Sequence, residues 1–561
     1  MLIRSLKLFS LLALLTLQAC SKQAPCCDAA IASAHPAATR AGIEILEAGG
    51  NAFDAAVAVT AALAVVEPYG SGIGGGGFWL LHDAASSTDV MVDGRERAPG
   101  KAHRDMYLDE SGEVIPSASI DGPLAAGIPG VPAALQHISE KYGKLPLETT
   151  LQPAIRLARE GFAVERIYIR LAGFRKNALS ASDDAAAIFL RDGEVPAAGE
   201  IIVQEDLAET LTLIATEGSK GFYTGELAER MVDDVQAHGG IWTLQDLADY
   251  RIIEREPIRF TYEGMDVVSV PPPSSGGVAL AQILGIYGSL VEEGMSEPVR
   301  LHLLIESMRR AYRDRAEYLG DSDYYDVPVS WLISDERIAE LAASVSPDRA
   351  TPSDQLRAIT VDETEGTDTT HFSIVDSDGN KVAATLSINY PFGSGFVPEG
   401  TGVLLNDEMD DFSSRPGTPN AYGLVGAEAN AIEPGKRMLS SMSPTFASLG
   451  DRELILGTPG GSRIITMMLH GLLEFHGGGD ADAVVSKPRF HHQYLPDFVS
   501  FEKEASDETV EAALVEMGHT YREMPSTFGD MQAVIIDKRS GEVDAASDPR
   551  GIGMPEVIRR D

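Results

Sequence analysis

Apolar residues recur at helical spacing through most of the first 350 residues, and the pattern changes abruptly after that. The periodicity predicts helices over Ala37 to Ala48 and, past the Gly49-Gly50 stop, over Ala52 to Val66. It predicts further helices over 131–141, 147–160, 205–216, 225–238, 277–292, 298–318 and 334–345. Between 347 and 368 the chain turns polar and acidic. Beyond it come short, strand-like apolar runs, with helices only at 462–475 and 507–517. Asp378-Gly379 is a strong turn signal between 371–375 and 382–389, so these two runs should fold back as a hairpin. A boundary therefore falls at Asp368/Thr369. No Pro/Gly/Ser-rich linker divides the 561 residues, and no repeat at a solenoid or propeller period is visible.

Composition adds three constraints. A formal net charge of −39 argues against general nucleic-acid binding, which needs a basic face, and favours solubility or a salty habitat. The three cysteines, Cys20, Cys26 and Cys27, supply neither a disulfide framework nor a cysteine zinc site, and a bridge between the sequence neighbours Cys26 and Cys27 would be strained. The first 20 residues carry Arg4 and Lys7 ahead of a short apolar run, which reads as an export signal too short for a mature membrane span. Leu17-Gln-Ala-Cys20 resembles a lipobox, with Cys20 lipidated, although Gln18 is not favoured there; a plain signal peptide cut nearby is the other reading. Both send the protein to the cell envelope, as a periplasmic protein or an outer-membrane lipoprotein.

The candidate chemistry sits at the boundary. Thr369 opens the first strand of the hairpin after a polar linker, a setting that suits a threonine that becomes a chain terminus. Cleavage before it would give one residue both a nucleophilic hydroxyl and a free α-amine as base. That amine titrates near ~7.7–8, whereas a lysine near ~10.4 would stay protonated at neutrality. A Thr-Thr pair opening a strand also has an ordinary reading, since β-branched residues suit pleated surfaces. Pairing outward from the turn brings Ser387 and Asn389 alongside Thr369.

These residues resemble those of the γ-glutamyltranspeptidase (glutathione hydrolase) family of N-terminal nucleophile hydrolases over nearly the whole mature chain. The blocks that carry the likeness are Ala-Gly-Gly-Asn-Ala near 48–52, Ser-Gly-Ile-Gly-Gly-Gly-Gly-Phe at 71–78, Arg-Glu-Arg-Ala-Pro at 95–99 and Thr-Thr-His-Phe-Ser at 369–373. Asn-Asp-Glu-Met-Asp-Asp-Phe-Ser at 406–413, Leu-Ser-Ser-Met-Ser-Pro at 439–444, Pro-Gly-Gly-Ser-Arg at 459–463 and Pro-Arg-Phe-His-His-Gln at 488–493 follow in order. The resemblance implies an α+β fold, a four-layer αββα sandwich. It divides the chain into a signal peptide (1–20), a large subunit (21–368) and a small subunit (369–561), with both halves contributing strands to one core. The cut pieces would stay associated as a heterodimer.

It also implies a self-cleaving proenzyme. Thr369 would attack the carbonyl of Asp368, pass through an ester and release the new terminus. The mature enzyme would transfer the γ-glutamyl group of glutathione to Thr369, then to water or to an amino acid or dipeptide. Gly460 and Gly461 are the candidate oxyanion hole, lying between a strand predicted at 453–456 and a helix starting near Ser462, although a plain Gly-Gly turn fits as well. Arg95 is the candidate cation for the α-carboxylate, joined by Ser440 and Ser441, while Asn389, Glu408 and Asp411 would surround the α-ammonium. Taken singly, Arg95 also reads as a surface charge, Asp410-Asp411 as a solvated turn and Ser440-Ser441 as a loop or cap. The stretch from Pro416 to Lys436 resembles a lid, with Tyr422 as its gate. Ser387 and Glu408 depart from threonine and glutamine found in relatives, without altering the reaction class.

Competing motifs are weaker. Gly72-Ile-Gly74-Gly-Gly-Gly77 fits G-x-G-x-x-G, but the strand-like run Phe78-Trp-Leu-Leu81 follows where a dinucleotide site needs a helix, so close packing is expected. His491-His492 lacks the partners of a metal site, and a structural role is expected. No cofactor and no metal are implied. Two other functions stay in view: a related cephalosporin (glutaryl) acylase, and an envelope lipoprotein that binds γ-glutamyl compounds without turnover.

Overall fold

The computed structural model describes residues 26–356, 369–415, 419–420 and 423–559. Two antiparallel sheets stack face to face. The seven strands of the first run, in spatial order, Met554–Ile558, Ala29–Ser33, Thr370–Val375, Lys381–Ser387, Gly76–Asp83, Thr88–Asp93 and Ile253–Arg255. The six of the second run Val543–Ser547, Gln532–Asp537, Arg452–Gly457, Thr445–Leu449, Met265–Ser269 and Ile258–Tyr262. Segments from before and after position 369 contribute strands to both sheets, as the αββα expectation requires.

The first sheet reads as continuous apolar runs because both its faces are buried. Side chains on a strand alternate in direction. Ala30, Ala32, Phe78, Leu80 and Ala383 accordingly pack in one core with Leu454, Leu456 and Val534 of the second sheet. Ile31, Trp79, Leu81, Phe372 and Ile374 pack in the other core with the helix Ala52–Val66. Every residue of that helix is buried. Its start is fixed by a capping box, in which the Asn51 side chain accepts from the amide of Asp54 and the Asp54 carboxylate accepts from the amide of Asn51. The helices Gly276–Leu290, Glu297–Tyr318 and Ile464–His476 contribute Leu280, Met308 and Leu469 to the core of the second sheet.

Most predicted helices appear within a residue or two of their expected bounds, as at Leu147–Glu160 and Glu205–Glu217. One is longer than anything the periodicity suggested there, Arg166–Ser180. Its opening, Ile-Tyr-Ile-Arg-Leu, alternates like a strand, and Gly173 interrupts it, which masks the helical signal. The helix expected from Ser462 instead begins with a tight 3-10 turn, Gly461–Arg463, and becomes α-helical at Ile464.

Candidate active site

The hairpin forms as the Asp378-Gly379 signal predicts. Asp376 Oδ1 accepts from the amides of Asp378 and Asn380, at 2.9 and 3.0 Å, and Gly379 takes φ 91°, which favours glycine. The strands pair with Val375 opposite Lys381 and Thr370 opposite Leu386. One step further along this register sets Thr369 against Ser387. The Ser387 hydroxyl then accepts from the Asn389 amide at 2.8 Å, and Asn389, in left-handed backbone at φ 71°, turns the chain out of the sheet.

The glycine run after Ser71 explains how this corner closes. A Cβ on Gly75 would lie 2.2 Å from the carbonyl oxygen of Ser387, and one on Gly74 would lie 2.1 Å from that of Leu404. These glycines let backbone meet backbone beside Ser387 and Leu404, and a strand, not a helix, follows them at Gly76–Asp83. The dinucleotide alternative is thereby removed.

One small pocket brings together Thr369, Ser387, Asn389, Arg95, Asp411, Ser440, Ser441 and Gly461. Arg95 is 1% exposed, which excludes its reading as a surface charge. Its Nη1 donates to Glu408 Oε2 and its Nη2 to Asp411 Oδ2, each at 2.5 Å, while Nε donates to the carbonyl of Met438 at 3.3 Å. Glu408–Asp411 is a 3-10 turn, buried apart from a partly exposed Asp411, so the solvated-turn reading fails as well. Asn406 ties that turn down, donating to the carbonyls of Gly74 and Gly127 and accepting from the amide of Glu408.

A third acid, Glu96, lies 3.6 Å from Arg95. One guanidinium thus serves three carboxyls, of which only Asp411 is partly exposed. Burial, outweighing the attraction of Arg95, pushes the Glu408 carboxyl up to about 7. Glu96, buried beside Glu408, is raised well above the ordinary carboxylate range. The same three acids raise Arg95 against the opposing effect of burial.

Ser440 and Ser441 belong to the segment entering Thr445–Leu449. The Ser440 amide donates to the carbonyl of Pro273 at 2.8 Å, and the Ser441 hydroxyl accepts from Arg315 Nη2 at 3.1 Å (the former contact fixes the backbone). Arg315 was not anticipated. It is buried, its Nε donates to Ser275 at 3.0 Å, and desolvation lowers it to about 10. Its signal lay hidden in a helix dense with arginine, Glu297–Tyr318, where the spacing alone does not single it out.

Gly460 and Gly461 take φ 138° and 54°, both positive. Gly461 lines the pocket with Thr369, and Gly460 lies with Thr369 on a neighbouring cavity. The Ser462 carbonyl that follows accepts from Tyr312 Oη at 2.5 Å, fixing the turn. Leu424, from the stretch expected to act as a lid, also lines the pocket, and that stretch holds a 3-10 turn at Glu428–Asn430. Tyr422, Asp368 and Cys20 lie outside the described residues.

His491 and His492 are buried and hydrogen-bonded to Thr466 and Asp497 respectively. Burial lowers the pKa of both. Among the described residues no cluster of three or more His, Cys, Asp or Glu could hold a metal ion.

Residues 38–558 match the sequence profile of the gamma-glutamyltranspeptidase family. The chain belongs to that family. It is 42% identical to a glutathione hydrolase proenzyme of Escherichia coli over 528 residues, covering 93% of this chain and 90% of that protein. A glutathione hydrolase proenzyme of Pseudomonas aeruginosa is also 42% identical, over 94% of both chains. Among solved structures, the gamma-glutamyltranspeptidase of Helicobacter pylori is 40% identical with a TM-score of 0.56, covering 58% of this chain and 93% of that one. A cephalosporin acylase from Bacillus halodurans superimposes with a TM-score of 0.83 at 28% identity, covering 94% of this chain and 96% of that one. The last likeness confirms the N-terminal nucleophile hydrolase fold in this gamma-glutamyltranspeptidase-family chain.

Proposed function

We propose that this chain is a self-cleaving γ-glutamyltransferase and glutathione hydrolase whose nucleophile is Thr369. The observation that carries the reading is the meeting of Thr369, Arg95 and Asp411 around one pocket, in a chain 42% identical to glutathione hydrolase proenzymes. In the precursor, Thr369 Oγ attacks the carbonyl carbon of Asp368, the peptide bond shifts to an ester, and water hydrolyses it. The new α-amine then takes the hydroxyl proton as Oγ attacks the γ-amide of the donor. The tetrahedral oxyanion is stabilised by the amides of Gly460 and Gly461, and the leaving amine departs with a proton. Water or a second amine then cleaves the γ-glutamyl ester.

Donor recognition is an exchange of ion pairs. The pocket has a volume of about 20 Å³, little more than a water needs, and Arg95 in its wall rests on Glu408 and Asp411. A bound glutamyl group brings one carboxylate and one ammonium. Arg95, with Ser440 and Ser441, takes the first; Glu408, Asp411 and Asn389 take the second. Arg95, Glu408 and Asp411 would each keep a charged partner before and after binding, which limits the desolvation cost.

A glutaryl group, the acyl part of an acylase substrate, has no ammonium and would leave these acids without their exchange partner. The γ-glutamyl reading is therefore preferred over the acylase, and Thr369 with Gly460-Gly461 supports turnover over ligand binding alone. The export signal and Cys20 motif support a periplasmic enzyme or a lipoprotein anchored at the outer membrane. The test is terminal sequencing of the purified protein together with turnover of γ-glutamyl-p-nitroanilide and glutaryl-p-nitroanilide. We expect a chain starting at Thr369 and cleavage of the γ-glutamyl compound alone. An active, uncut polypeptide overturns the mechanism, and a preference for glutaryl overturns the substrate.

A further inference from the structure

Thr369 also forms part of the wall of a second cavity, of about 690 Å³, large enough for a small organic ligand. Gly460 lies in the same wall. Beside the nucleophile stand Glu67, Tyr69 and Asp530. Glu67 is locked in place, accepting from the Thr370 hydroxyl at 2.7 Å and from Tyr69 Oη at 3.3 Å. Arg166 and Arg170 also line this cavity, one turn apart on the helix Arg166–Ser180 and therefore on one face of it. Both are exposed. Neither guanidinium has an ion-pair or hydrogen-bond partner among the described residues, in a chain with 84 acidic against 45 basic residues, where partners are plentiful. Arg550, in contrast, is held by Glu502 and Asp548.

We propose that this cavity is the subsite of the second substrate, a free amino acid or short peptide, with Arg166 and Arg170 holding its carboxylate while its amine meets the γ-glutamyl ester on Thr369. The assignment rests on the transferase reading above. Two arginines on one helix face present a forked set of donors that matches a carboxylate. Glu67 and Asp530 mark the amine end. Burial raises both carboxyls, Glu67 to about 7, so Glu67 can take a proton from an arriving ammonium near neutrality. The transfer balances without another reactant. The neutral amine nitrogen bonds to the ester carbonyl carbon, the bond from that carbon to Thr369 Oγ breaks, and the proton lost from nitrogen ends on Oγ.

The test compares glycylglycine with glycylglycinamide as acceptors, in wild type and in Arg166→Ala/Arg170→Ala, with γ-glutamyl-p-nitroanilide as donor. Loss of the two cations should raise the acceptor KM about tenfold for glycylglycine and much less for the amide, and Arg166→Lys/Arg170→Lys should recover part of the loss. Equal changes for the two acceptors, or none for either, overturn the proposal. Should the double alanine variant fail to fold, the wild type still decides: a KM at least about fivefold lower for glycylglycine is expected, and equal values overturn the assignment. Wild type that hydrolyses no donor at all refutes the transferase reading itself, an outcome distinct from a misassigned cavity, in which donor hydrolysis persists.

Discussion

Two cavities share Thr369, and they solve the problem of buried charge in opposite ways. The proposed glutamyl pocket is small, about 20 Å³, and Arg95 in its wall is paired with Glu408 and Asp411. The second cavity is about 690 Å³, with Arg166 and Arg170, unpaired among the described residues, at its exposed end and carboxyls held toward the protonated form in the wall it shares with Thr369. A site that must read both charges of a glutamyl group can keep them balanced by trading partners. A site open to varied incoming amines gains more from space and from a few exposed cations, which stay solvated when empty.

The largest effect should come from the residue common to both. Thr369→Ala is expected to remain a single uncut polypeptide with no turnover of γ-glutamyl-p-nitroanilide, as read by denaturing gel and absorbance. A variant that still splits at this bond would separate scission from the nucleophile and break the comparison at its hinge.

Next is the closed side. Arg95→Ala leaves Glu408 and Glu96 buried without their cation, and should cost about 3 kcal/mol of stability, as well as raising the donor KM. Urea unfolding of the uncut Thr369→Ala background, with and without the second change, measures the first; donor saturation curves measure the second. An unchanged KM would remove Arg95 from carboxylate recognition.

The open side predicts a dependence on pH. Glu67 has its pKa raised by burial from 4.5 to about 7, so the folded state binds more protons than the unfolded state between those values. Its contribution is most favourable below pH 4.5 and falls as pH rises toward 7, by up to about 3 kcal/mol. Glu67→Gln should flatten this part of the stability profile and make the protein more stable than wild type at pH 8. Parallel profiles for the two proteins would show that Glu67 is not held protonated.

The smallest effect expected is at Ser441. Ser441→Ala removes the acceptor of Arg315 Nη2, and should cost about 1–2 kcal/mol, measured by the same unfolding assay. A loss below about 0.3 kcal/mol would mean that water replaces the hydroxyl there.

The regular elements were legible because their signals are local. The Gly49-Gly50 stop sets off the start of Ala52–Val66, and Asp378-Gly379 fixes a hairpin whose register carries Ser387 to Thr369. The stacking of the two sheets came through family likeness, since no periodicity reveals which strands from distant segments will pair. The proposed glutamyl pocket was legible as a set of residues, yet the pairing of Arg95 with the two acids was not, because it depends on segments more than 300 residues apart. Glu67, Arg166 and Arg315 escaped for the same reason. Each lies in an element whose own sequence gives it an ordinary helical or loop role, and only the tertiary packing brings it into one cavity wall with Thr369 or against Ser441.

The strand Ala29–Ser33 is hydrogen-bonded to Thr370–Val375 on one side and to Met554–Ile558 on the other. A chain broken before Thr369 would keep this sheet intact, but its central ladders would then join separate molecules. Recovery from denaturant, first order for the precursor, would become bimolecular for a processed enzyme and slow with dilution, so the nick would make unfolding an event from which a dilute protein seldom returns.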